Sequence, residues 1–108
     1  MIRGTTPYVT ITFPTGVDVS DMTKFRMYFN QGKDNVLTKT EDDLTFVAES
    51  RTVTALLTQE ETMLFNPKKR VEIAARYMFS GGIVGAIKPR YIDVYDVDGD
   101  TDEILSGE

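Results

Sequence analysis

The sequence predicts an all-β domain, an antiparallel sandwich of about seven strands with one short helical turn near residues 58–65. Three observations predict it. Short runs with apolar side chains at every second position recur along the chain, the period of strands buried on one face. Turn-forming residues separate these runs at hairpin spacing. Only Thr58-Gln59-Glu60-Glu61 carries a helix-start signal, in which the first and last side chains reciprocally bond each other's backbone amides.

The elements follow in order. Tyr8 to Phe13 puts Val9, Ile11 and Phe13 on one face and Thr10 and Thr12 on the other, and Pro14-Thr15-Gly16 stops it. Lys24 to Phe29 alternates in the same way around Phe25, Met27 and Phe29. Asn30 to Asn35 is rich in turn formers, so Val36 to Thr40 returns antiparallel. After the acidic turn Glu41-Asp42-Asp43, Leu44 to Val47 and Thr52 to Leu57 form a second hairpin. The helical turn comes next, with Met63, Leu64 and Phe65 to pack it down, and Asn66-Pro67 closes it. Arg70 to Phe79 is the clearest strand and the expected centre of a sheet, with Val71, Ile73, Ala75, Tyr77 and Phe79 on one face. Ser80-Gly81-Gly82 turns the chain, and Ile83 to Val97 holds one or two strands broken by Pro89. Seven or so short strands with one helical turn indicate an immunoglobulin-like sandwich rather than a βαβ fold.

Residues 1–108 form a single domain by this reading, with an extended amino-terminal arm at 1–6 and an acidic carboxyl-terminal tail at 98–108. The formal net charge is -5, but Asp93 to Glu108 holds seven acids and no base. Residues 1–92 therefore carry ten acids against twelve bases, a weak drive toward nucleic acid. The apolar runs are far shorter than the ~18 residues needed to cross a bilayer. The amino terminus has no secretory signal, so synthesis in the cytoplasm is expected.

There is no cysteine and no histidine, which removes thiolate chemistry, disulfides and the usual general base at neutral pH. A non-enzymatic role without cofactor is the expectation. Asp96, Asp98 and Asp100 place carboxylates at alternate positions, as calcium ligands require. The helix-loop-helix template fails on them, since Thr101 stands where its glycine belongs and Gly107 where its glutamate belongs. Lys68-Lys69-Arg70 is the one basic cluster, without the interleaved aromatics of a nucleic-acid platform. Ser80-Gly81-Gly82 lacks the lysine and helix of a phosphate loop. Glu60-Glu61 and Asp42-Asp43 are adjacent pairs that cannot flank one glycosidic bond. Tyr77, Tyr91 and Tyr95 could line a sugar-binding face, against the alternative of ordinary strand packing.

Met1-Ile2-Arg3-Gly4-Thr5-Thr6-Pro7, the segment Leu57-Thr58-Gln59-Glu60-Glu61-Thr62 with Phe65, and Val71-Glu72-Ile73 with Arg76 resemble a family of short proteins encoded in bacteriophages and prophages of Firmicutes. The likeness spans nearly the whole chain in layout. The layout is also similar to the amino-terminal sandwich domain of phage upper-baseplate proteins, which implies an immunoglobulin-like fold and a place in the virion. The resemblance carries no catalytic residue.

Together these observations lead us to expect a structural or adaptor component of a phage particle, in the tail, baseplate or capsid exterior, bound to other virion proteins and to itself as a homo-oligomer. Nucleic acid and membrane are not expected partners. Ile2 and Arg3 on the arm, with Tyr91 and Tyr95, are the candidate interaction residues, the arm being free to join a neighbour's sheet. Two alternatives stay open, a carbohydrate- or host-surface-binding module and a phage factor that binds a host protein.

Overall fold

A computed structural model describes residues 1–96 and 104–106. Its strands are β1 (Tyr8–Thr12), β2 (Met22–Gln31), β3 (Asp34–Thr40), β4 (Leu44–Val47), β5 (Thr52–Leu56), β6 (Val71–Phe79), β7 (Val84–Ala86) and β8 (Arg90–Ile92), with one helix, α1 (Gln59–Met63), between β5 and β6. They form two antiparallel sheets. One has the order β1-β5-β4, and the other β3-β2-β6-β7 with β8 also on β6.

The expected seven strands become eight because Pro89 splits the last one. β7 pairs Ala86 with Arg76 and β8 pairs Arg90 with Ile73, so the two halves run along the same flank of β6 with a one-residue shift between them. Proline has no amide to give a ladder, and this flank is a sheet edge. The order is that of an immunoglobulin sandwich, in which strands B, E and D form one sheet and C′, C, F and G the other. Here β1, β5 and β4 hold the first three places and β3, β2, β6 and the split β7/β8 the other four. No described strand holds the place of the first strand, A.

Alternation does what the sequence pattern demands. Ile11, Val53 and Ala55 from the smaller sheet, with Leu57 just beyond it, meet Phe25, Met27, Phe29, Val71, Ile73 and Ala75 from the larger, all buried. Phe13, Val19, Phe65 and Val94, which lie outside the strands, complete the core. The β2–β3 hairpin turns over Gly32 and Lys33, with Gly32 at φ 63°, a conformation that costs glycine little. Gly85 answers a different need. It lies opposite Tyr77, and a Cβ there would stand 2.5 Å from the Tyr77 ring. That ring is held edge-on by Phe13 and Phe79 and stacked on Phe25 at 5.9 Å. We expect Gly85→Ala to cost about 1–3 kcal/mol, the range of overpacking, in urea-unfolding measurements.

Helix α1 forms as its capping signal requires. The Glu61 amide donates to Thr58 Oγ1 at 3.1 Å, and the Thr58 amide donates to Glu61 Oε1 at 2.9 Å. Thr62 is fully buried, and its hydroxyl accepts from the Gly4 amide at 3.0 Å and lies 3.0 Å from the carbonyls of Thr5 and Gln59. It thereby fastens the amino-terminal arm to the helix.

The arm therefore corrects the expectation of a free, extended 1–6 segment. It bends at Gly4, φ 79°, and lies against its own chain. Ile2 makes a parallel bridge with Tyr95, the Arg3 amide donates to Tyr95 O at 2.9 Å, and the Tyr95 amide donates to Met1 O at 2.9 Å. The physical reason is backbone satisfaction, because the arm and residues 93–96 supply each other's donors and acceptors.

Candidate interaction surface

The residues singled out from the sequence are placed apart. Arg3 is turned inward. Its Nη1 donates to Asp96 Oδ1 at 2.7 Å and its Nη2 to Met63 O at 2.9 Å, the last carbonyl of α1. A guanidinium suits both an acid and a helix C-terminus, so the side chain is engaged within the fold. Ile2 and Tyr95 are exposed and sit side by side on their bridge. Tyr91 is exposed on β8, with the Arg70 guanidinium 4.6 Å from its ring centroid and its hydroxyl 3.2 Å from Glu72.

Tyr77, by contrast, packs among phenylalanines between the sheets, so Tyr77, Tyr91 and Tyr95 do not form one sugar-binding face. Of the calcium candidates, Asp96 is paired with Arg3, while Asp98 and Asp100 lie outside the described residues. Among the described residues no group of His, Cys, Asp or Glu is placed to hold a metal ion. No described helix is long and apolar enough to cross a membrane.

Two surfaces stand out instead. The first is the outer face of the smaller sheet. Thr10, Thr12, Thr45, Thr52 and Thr54 cover its middle, with Tyr8, Leu56 and Val47 around them, and none is charged. Tyr8 is 72% exposed, Leu56 47% and Val47 42%. Thr10 and Thr54 share a hydroxyl hydrogen bond across the strands at 2.9 Å. In a chain that is 27% charged, a neutral face spanning three strands is suited to contact with protein, where core positions are depleted of charge.

The second is the open side between the sheets, where strand A is missing. Odd-numbered residues of β1 bond to β5, as the Phe13 amide to Arg51 O and the Leu57 amide to Pro7 O at either end indicate. The alternation of an antiparallel ladder then turns the amides and carbonyls of Tyr8, Thr10 and Thr12 outward. No described strand meets them. Beside this edge lie two adjoining depressions of about 400 and 420 Å³ that share Ile11, Ile87 and Arg90. The first reaches Ile73 and Ile92, the second Phe13 and Lys88.

Electrostatic ties join the larger sheet to α1 and to the turn that leads into β4. Lys39 Nζ donates to both oxygens of Glu61 at 2.8 and 2.7 Å, joining β3 to α1. Arg26 Nη1 donates to both oxygens of Glu41 at 2.6 and 2.9 Å. The Arg26 bond holds the Glu41 carboxyl below the usual carboxylate range. Burial pushes Glu61 upward, but the Lys39 bond and the Thr58 amide outweigh it and leave Glu61 lowered as well. A carboxyl lowered in the folded state stabilises the fold above its ordinary value, and this is lost as pH falls through the folded value. Acid should therefore weaken the domain from the ordinary glutamate range downward. Glu61→Gln keeps the cap, loses the ion pair, and should flatten that acid limb while costing about 1 kcal/mol at pH 7, read by urea unfolding at successive pH values.

Sequence reasoning missed both surfaces for one reason. The outward threonines are legible in the alternation of β1, β4 and β5, but their adjacency depends on strand order. No family model matches the chain, and no curated protein matches it.

Proposed function

We propose that this chain is a non-enzymatic structural or adaptor component of a bacteriophage particle, in the tail, baseplate or capsid exterior. It acts through repeated protein–protein contacts, with other particle proteins and with further copies of itself. The observation that carries the docking role is the neutral outer face of the β1-β5-β4 sheet, with Tyr8, Leu56 and Val47 exposed around threonines. Symmetric particles reuse one patch many times, and a face without charge meets its own copy without like-charge repulsion.

The phage assignment draws on the residues that carry the resemblance. Two of those segments, the arm and the stretch around Leu57 to Thr62, pack together: the Gly4 amide donates to Thr62, Arg3 donates to the adjoining Met63 carbonyl, and the Leu57 amide donates to Pro7 O at 3.1 Å. A protein that shared these residues would share this packing unit, and with it the fold.

Mass spectrometry of purified, nuclease-treated particles from a phage encoding this chain tests the reading. The expected result is a copy number in fixed ratio to a capsid or tail protein. Absence from clean particles overturns it.

A further inference from the structure

We propose that the open side of the sandwich is a strand-accepting groove, and that its occupant is an extended acidic-apolar segment of a partner protein. In that segment, alternate positions facing the groove carry apolar side chains with a carboxylate among them. The proposal rests on the docking reading above for its taking the occupant to be protein, and adds the site and the occupant's chemistry.

Backbone pairing provides the first requirement. Tyr8, Thr10 and Thr12 turn their amides and carbonyls to an edge that no described strand covers, and such an edge templates an added strand. The groove provides the second. Every other side chain of a strand laid there would point between the sheets, onto Ile11, Ile73, Ile87 and Ile92.

Arg90 provides the third and sets the chemistry. It pairs with Ile73, so its side chain takes the inward register position of β8, where Ile92 two residues on is apolar. A cation thus stands at the mouth of an apolar groove. Lys88 lies beside it, no acid lines either depression, and neither Lys88 nor Arg90 has a carboxylate partner among the described residues. A carboxylate in the inward-facing series of the occupant supplies the missing charge.

The test uses the full chain and a capped heptapeptide, Thr-Val-Thr-Glu-Thr-Val-Thr, whose pattern is the same in either strand direction. Controls carry Gln or Lys at the centre. In nitrogen-15 amide spectra, the Glu peptide is expected to shift the amides of Tyr8, Thr10 and Thr12, and to bind at least ten-fold more tightly than the Lys peptide. Arg90→Glu should reverse that preference. Thr10→Pro, which removes an outward amide and no β5 bond, should abolish binding. If that variant fails to fold, Arg90→Glu carries the test alone.

No shift at millimolar Glu peptide, shifts confined to other strands, or equal binding of the Glu and Lys peptides overturns the proposal. So does self-association of the free chain in sedimentation through these same amides, which assigns the groove to a second copy. Peptide binding by a chain absent from phage particles would remove the particle reading and leave the groove standing. Presence in particles without peptide binding would do the reverse.

Discussion

Replacing Phe25 with alanine is expected to destabilise the domain by about 3–5 kcal/mol, the range for a fully buried phenylalanine truncated to a methyl group. Phe25 is wholly buried on β2. Its ring centroid lies 5.7 Å from that of Phe46, 6.3 Å from Phe13 and 5.9 Å from Tyr77. Phe13 and Phe46 come from the smaller sheet and Tyr77 from the larger, so this one ring bridges both layers. Losing it opens a cavity that neither sheet can close alone, since interiors are close-packed. At roughly 4–8 °C per kcal/mol for a domain of this size, the melting temperature should fall by more than about 12 °C. Phe25→Leu, which leaves a smaller void, should cost clearly less. Equal losses for the two variants in urea unfolding would show that ring packing is not what joins the sheets.

The second large effect is expected at Gln31. This side chain ends β2 and is 5% exposed. Its Nε2 donates to Asn66 O at 2.8 Å and to Lys69 O at 3.0 Å, and its Oε1 accepts from the Asn66 amide at 2.8 Å. One side-chain amide thus ties both ends of the 66–69 loop to the end of β2. Gln31→Leu leaves three backbone groups without that partner. A buried group left unsatisfied costs about 1–3 kcal/mol, and water reaching the exposed side of the loop offsets part of it, so about 2–4 kcal/mol in all is expected. Hydrogen exchange at the Asn66 amide should quicken by more than global destabilisation explains. Exchange that tracks global unfolding alone would mean the loop holds itself.

How much of this was legible in the sequence divides along a physical line. Local features were readable because they depend on near neighbours. The alternation of Val9, Ile11 and Phe13 became the core-facing side of β1 and its continuation, Thr58 and Glu61 became the capping box, and Pro89 interrupted an edge strand. What depends on distant neighbours was not readable. Arg3 looked outward-facing because its partners, Asp96 and the Met63 carbonyl, are far away in sequence. Tyr77 alternates like any strand tyrosine, and only its stack on Phe25 shows that it is interior. Gln31 gave no signal, since a strand-ending glutamine becomes a clamp only when the 66–69 loop is brought over it. Arg90 is a charged residue beside a proline until pairing with Ile73 gives it an inward position.

The bond between the arm and residues 93–96 also has a consequence in time. Arg3 and Asp96 are 93 positions apart, and ribosomes add about 5–20 residues per second. Residues 1–3 must therefore wait on the order of 5–20 seconds for their partners to be synthesised, with the Arg3 guanidinium hydrated until then. Closing so long a loop is also entropically slow to be rewarded. The contact between the arm and residues 93–96 is thus among the last to close, and a nascent chain stalled before Asp93 should expose this arm to proteases and chaperones that the finished domain excludes.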